Sequence, residues 1–332
     1  MRRLFPRAGG RVVRRGAGWA GVAEAGRAGP ESPRQGWPES SRCGRAELLS
    51  PSRVRLALAY QVRKAGGAWV PTAMPGTAAT APLAPVTTAL RQLFGTDDVP
   101  GLARGLLVAD EAGWSPATSL VDGTRLPELL AAATDQWGGT RHASAALAWK
   151  AYSYWAALPA VLGWAAVRRV PLLVPADVLI HFADQRSLLT LGLRRSTAVA
   201  VLPGDPLALS GRPEVRVVAG EVELLAVLRA TLLDAHLGPV IAAIQAEVRI
   251  GTRTLLGSVA AGIAHVILRA ADGLPGSSVA SIDTLLQTLD LRDLVELVPG
   301  PTGEPTVQRY TCCLAFTLPR PTTCPGCCLR RS

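Results

Sequence analysis

The stretch Arg309–Leu329 reads R-Y-T-C-C-L-A-F-T-L-P-R-P-T-T-C-P-G-C-C-L, and the rest of the chain is best read outward from it. Five of the six cysteines lie here: Cys312, Cys313, Cys324, Cys327 and Cys328. Cys324-Pro325-Gly326-Cys327 is a C-x-x-C turn, and Pro and Gly suit a turn that aims two sulfurs at one metal. The adjacent pair Cys312-Cys313 is less usual. Neighbouring side chains of a regular strand point to opposite faces, so both serve one site only where the backbone leaves regular geometry. Four thiolates from two such pairs can hold a structural zinc ion or an iron–sulfur cluster. Metal-free thiols are a further reading. Disulfides are another, but Cys43 is the only cysteine outside the segment, which is unlike a secreted disulfide scaffold.

The spacing separates these readings. It differs from the paired C-x-x-C knuckles common at zinc and from the usual ferredoxin spacings. It matches C-C-x10-C-x2-C, and in this the chain resembles the FhuF-type ferric-siderophore reductases, which carry a [2Fe–2S] cluster on that pattern. The resemblance implies that Cys312, Cys313, Cys324 and Cys327 are the cluster ligands. Departures near the cysteines are Pro325-Gly326 where Gly-Asp is common, Tyr310 where Arg is common, and the additional Cys328. None removes a ligand. Cys328, one residue beyond Cys327, is expected to point away as a bystander thiol.

Composition bounds the rest. The 332 residues are 48% hydrophobic and 18% charged, which suits a globular chain with ample core. The formal charge of +10 is confined to residues 1–73, which carry 14 Lys and Arg against 4 Glu. Residues 74–332 are balanced, with 21 of each sign, so they have no electrostatic footprint for nucleic acid. The first 73 residues are rich in Arg, Gly and Pro, show no apolar periodicity, and lack the uninterrupted apolar run of a secretory signal. Met1 and Met74 are the only methionines, and 33 Arg against two Lys suggests a GC-rich coding sequence. Residues 1–73 therefore read as a misassigned start, with Met74 as the true one, or else as a disordered basic tail. Intact mass of the native protein decides between them.

Further along, a helix is expected over 86–94 and another from Leu126-Pro127 to about Trp137, with Pro at a first-turn position. Residues 151–167 carry no charge, but Lys150, Arg168-Arg169, Tyr152, Tyr154 and Pro159 favour a buried helix pair broken or kinked at Pro159 over a membrane span. The stripe Trp149, Tyr152, Trp155 reads as core. Short apolar runs at 178–183, 187–193, 197–202 and 215–218 fit a small antiparallel meander. A helix over 221–235 should stop at Gly238-Pro239, where the next begins. Residues 252–270 carry Gly257, Ala260, Ala261 and Ala264, a stripe that admits close approach of another backbone. His181 and His265 read as ordinary packed residues. A last helix is expected over 279–297, followed by the linker Pro299–Gly303. The domain reading is thus 1–73 extension, 74–300 helical domain with a small sheet, and 301–332 cysteine segment. The fold class is α+β, mainly helical with a small antiparallel meander.

The resemblance extends weakly outside the cysteines. Gly113, Trp114 and Pro116 match a Gly-Trp-x-Pro common in the family. Arg253-Thr254-Leu255-Leu256-Gly257-Ser258-Val259-Ala260-Ala261 resembles an R-x-L-W-G-N-V-A-S-like stretch, with Leu256 and Ser258 departing from Trp and Asn. What it implies is a cytoplasmic oxidoreductase that passes one electron to ferric iron in a siderophore, releasing ferrous iron. The electron would come from a ferredoxin or flavoprotein reductase, and any membrane association would be peripheral. Arg309, Arg320, Arg330 and Arg331 are cations close to the cysteines in sequence and able to raise the potential of a cluster. Two alternatives stand beside this: a zinc-stapled binding protein, and a relative of the acyl-transfer siderophore synthetases, against which the missing nucleotide loop counts.

Overall fold

The structure, a computed structural model, describes residues 81–182, 187–300, 302–324 and 326–330. The basic extension and its proposed boundary at Met74 lie outside these residues. In chain order the elements are α1 (Ala84–Phe94), β1 (Leu102–Leu107), β2 (Ser115–Pro116), α2 (Thr118–Val121), α3 (Leu126–Trp137) and α4 (Arg141–Val167). Four short strands follow: β3 (Arg169–Pro171), β4 (Val178–His181), β5 (Thr190–Leu193) and β6 (Val199–Val201), then β7 (Val215–Val217). Helix α5 (Glu221–Leu228) runs through a π-helical stretch, Arg229–Leu237, into α6 (Gly238–Glu247). Helices α7 (Thr252–Ala270) and α8 (Ser278–Thr288) precede a hairpin of β8 (Val295–Pro299) and β9 (Pro305–Arg309). The fold is mixed, with more helix than strand, as the sequence leads one to expect.

Helix α4 is the core. Thr140 caps it by accepting a hydrogen bond from the Ala143 N–H. Apolar residues occupy every side of it, which is the pattern of a helix enclosed by others, and α1, α3 and α7 pack around it. The expected break at Pro159 does not occur: α4 is one helix of 27 residues with Pro159 inside. A proline in a helix interior costs roughly 3 kcal/mol, and burial of Leu158, Val161, Leu162 and Trp164 on the same helix offsets it. Trp149 and Tyr152 are fully buried, as expected of core residues. The Trp149 indole N–H donates to Leu255 O at 2.8 Å and ties α4 to the first turn of α7. The small residues of α7 let its neighbours come close. A Cβ on Gly262 would lie 3.7 Å from the Tyr154 ring, and one on Gly257 would overlap Thr311.

The meander is corrected in detail. β4 and β5 do form an antiparallel pair, but β1 joins them parallel to β5, and β2 lies on the other side of β4. β6 leaves for a second sheet of order β3-β6-β7, antiparallel to β3 and parallel to β7. Every residue of β5 and β6 is buried, so each is covered on both faces, unlike the half-exposed strands of a surface meander. Gly238-Pro239 does open α6, as expected, with Pro239 in its first turn, but the chain stays helical on both sides of it. Gly238 N–H donates to Leu233 O, five residues back, and Pro239 falls where the spacing returns to four. A residue without an N–H is cheap at such a change of register. The last helix ends at Thr288, nine residues short of the expected limit. Asp290 turns left-handed there (φ 59°) and Val295–Leu297 become strand. Pro299–Gly303, expected as a linker, is the turn region of the β8–β9 hairpin.

By length and composition Glu221–Glu247 and Thr252–Gly273 are apolar enough to cross a membrane, and much of each is buried within the fold.

Candidate metal centre

The hairpin delivers the cysteine segment. β8 and β9 pair from Pro299–Pro305 to Val295–Arg309, and the Tyr310 N–H donates to Leu294 O at 3.0 Å, extending the register by one step. The C-x-x-C turn then folds back on β9. Arg309 N–H donates to Gly326 O at 2.9 Å, and the Gln308 side-chain amide donates to Cys327 O at 3.2 Å. Gly326 has φ +64°, and a Cβ there would lie 1.6 Å from Val307 O. Only glycine fits this close backbone approach in a left-handed conformation.

At the other end of the segment, Leu314 is left-handed although it is not glycine (φ 62°). Cys313 is buried in a small apolar cluster with Ala143 and Leu147 of α4 and with Ala315 and Leu318. Cys312 is partly exposed and accepts the Leu314 N–H at 3.3 Å. Leu318 packs over Gly139 so closely that a Cβ there would lie 2.7 Å from it. The segment is thus clasped by the start of α4 on one side and by α7, through Gly257 and Thr311, on the other.

Cys313 and Cys324 are in contact, with sulfurs 3.9 Å apart. The hydrogen bond from Cys324 holds Cys313 down to about 5 despite burial, with Lys150, the Ala315 backbone N–H and Arg309 adding to the effect. The Cys324 thiol is pushed up, first by that same hydrogen bond to Cys313, then by burial and the Cys313 charge. Cys327 is buried. Cys328 does not turn away as expected. The helical turn Cys328–Arg330 curls the chain so that Cys328 interacts with Cys312 and Cys327, and its thiol is pushed up by burial and then by those two neighbours. Among the described residues no three His, Cys, Asp or Glu side chains converge on a single ion position. The sulfurs are grouped as Cys313 with Cys324, and Cys312 with Cys328.

The electrostatics around these sulfurs are one-sided. Arg309 is 1% exposed, and its Nη2 donates to Ser258 Oγ at 3.0 Å. Its Nε and Nη1 find no partner among the described residues. The other buried arginine, Arg169, shows what is missing: it makes a two-pronged pair with Asp205 at 2.6 and 2.9 Å. A pocket between α4 and α7 places Lys150, Ser258, His265, Arg309 and Cys324 together, and its lining has no carboxylate. His265 lines this pocket and is held neutral, its pKa lowered to about 4 by burial and then by Lys150 and Arg309.

Lys150 and Arg309 both favour the thiolate form of Cys313, so the sulfurs are where negative charge settles beside the buried guanidinium. Four thiolates around two ferric ions and two sulfides would carry a formal charge of −2 beside Arg309. Backbone N–H groups already donate to sulfur at Cys312, from Leu314, and at Cys313, from Ala315. Hydrogen bonds to thiolate sulfur and nearby cations are the features that stabilise and tune iron–sulfur ligation. The donor type present, sulfur in two close pairs beside a buried cation, is the type such a cluster takes.

Of the cations named from sequence, Arg309 is buried beside the cysteines and Arg320 is exposed; the side chains of Arg330 and Arg331 lie outside the described set. Lys150, Ser258 and His265 were not read as site residues. Lys150 carried a signal: it is one of two lysines against 33 arginines and borders a long uncharged stretch. No protein-family model matches the chain, and no curated protein matches it significantly.

Proposed function

We propose that the chain is a [2Fe–2S] protein that reduces ferric iron held in a siderophore complex, acting in the cytoplasm. The observation that carries this is the buried, carboxylate-free Arg309 with Lys150, set against an all-sulfur group whose spacing is C-C-x10-C-x2-C. Cys312, Cys313, Cys324 and Cys327 would hold the cluster, which when bound supplies a one-electron couple and needs no acid or base.

The chain's own residues account for the remaining requirements. Cys313 and Cys327 are buried, while Cys312, Cys324 and Cys328 are partly exposed. The sulfur group therefore has a sheltered side anchored on α4 and a solvent side across which an electron can pass. Phe316 and Leu329 are exposed in the same segment and offer apolar contact to a partner at that edge. The substrate is ferric iron among hard oxygen donors; after reduction the ferrous ion suits those donors poorly and is released. A ferredoxin or flavoprotein reductase supplies the electron.

Anaerobically purified protein should contain about two irons and two acid-labile sulfides per chain, absorb in the visible and bleach with dithionite. Stoichiometric zinc without sulfide would replace this reading with a zinc-stapled structural segment.

A further inference from the structure

The pocket beside Cys324 joins one cation from α4, Lys150, to one from the end of β9, Arg309. Arg309 is enclosed, two of its nitrogens have no partner among the described residues, and Ser258 on α7 accepts from the third. We propose that Arg309, oriented by Ser258 and assisted by Lys150, sets the reduction potential of the centre. This rests on the iron–sulfur reading above and assigns roles to three residues outside the cysteine set. They are positioning groups, acting on the centre by charge.

The physical argument concerns which oxidation state the pocket favours. A centre that gains one electron becomes more negative by one charge, and a fixed cation nearby stabilises that state more than the oxidised one. Enclosure makes the effect large, because neither water nor salt screens a buried pair as it does a surface pair. A guanidinium keeps its charge at every working pH. Exposed Arg320, although also close in sequence to the cysteines, has no such leverage. The Ser258 hydroxyl holds one arm of the Arg309 fork on α7.

The test is a potentiometric titration of the cluster-loaded protein, followed by visible absorbance and by EPR of the reduced state. Arg309→Met should lower the equilibrium constant for reduction at least tenfold, equivalent to about 59 mV for a one-electron couple. Lys150→Met should move it in the same direction, Arg309→Lys should recover part of the loss, and Arg320→Met should leave it at the parent value. Cluster-loaded Arg309→Met and Lys150→Met proteins that both stay within about threefold of the parent would overturn the proposal. If Arg309→Met does not load, Lys150→Met decides alone. A parent protein without iron and sulfide sinks the functional reading and this inference together; a loaded parent with unresponsive variants sinks only the inference.

Discussion

At the scale of single residues, the five cysteines of the segment are not equivalent. Cys313 and Cys324 touch, and the hydrogen bond between them favours the thiolate form of Cys313. Replacing either with Ser should abolish both the visible absorbance of the centre and reduction of a ferric siderophore. An active, colourless Cys313→Ser protein would refute that dependence. Cys327 and Cys328 are separated by one peptide bond and differ in setting. Cys327 is buried with its carbonyl tied to Gln308, and it fills the x-x spacing from Cys324. Cys328 is partly exposed and lies one residue beyond that spacing. Cys327→Ser should therefore lose the cluster or alter its EPR spectrum, while Cys328→Ser keeps the parent spectrum. The reverse result would shift the ligand register by one residue.

At the scale of elements, the cysteine segment is held by close backbone approaches more than by side chains. Gly326 is the tightest of these. An alanine there meets Val307 O and must also adopt a left-handed conformation, which alone costs roughly 1–2 kcal/mol. Gly326→Ala should release the C-x-x-C turn from β9 and prevent cluster loading, while the helical core keeps its circular dichroism. Unimpaired loading of that variant would show that the turn is not packed as described. The same elements show what can be read from sequence and what cannot. Helices at Leu126–Trp137 and Thr252–Ala270 were legible because proline entry, small-residue stripes and apolar periodicity are local signals. The continuity of α4 through Pro159 and of α5 through Gly238-Pro239 was not, because it depends on packing by elements distant in sequence. The hairpin β8–β9 was hidden by Pro299–Gly303, which reads as a linker, yet Pro299 stands opposite Pro305 as the last pair of the ladder. Likewise the spacing of the cysteines was visible in the chain, whereas the approach of Lys150 and Ser258 exists only once α4 and α7 are side by side.

At the scale of the whole molecule, buried imidazoles make folding sensitive to acid. His236, fully buried, donates from Nδ1 to Leu173 O at 2.8 Å and accepts from the Tyr152 hydroxyl at 2.5 Å. Burial lowers its pKa from 6.5 to about 4, against the opposing effect of the Leu173 carbonyl. Above pH 6.5 both folded and unfolded chains hold the ring neutral. As pH falls below that value the unfolded chain takes up the proton and the folded one does not, so stability declines until the native ring protonates near pH 4. The loss over the full range is on the order of 3 kcal/mol. Urea midpoints should fall between pH 6.5 and 5, before most carboxylates titrate, and the slope should be shallower in His236→Asn. An unchanged slope would remove His236 from the account. One arrangement also bears on biosynthesis. The sulfurs are translated after α4 and α7, the two helices that receive them. The platform can therefore assemble while the cysteines are still being made, with Lys150 in place on α4 before Arg309 arrives on β9 just ahead of them. On the function proposed above, metal loading is then the closing step of maturation, made on two helices that are already in place.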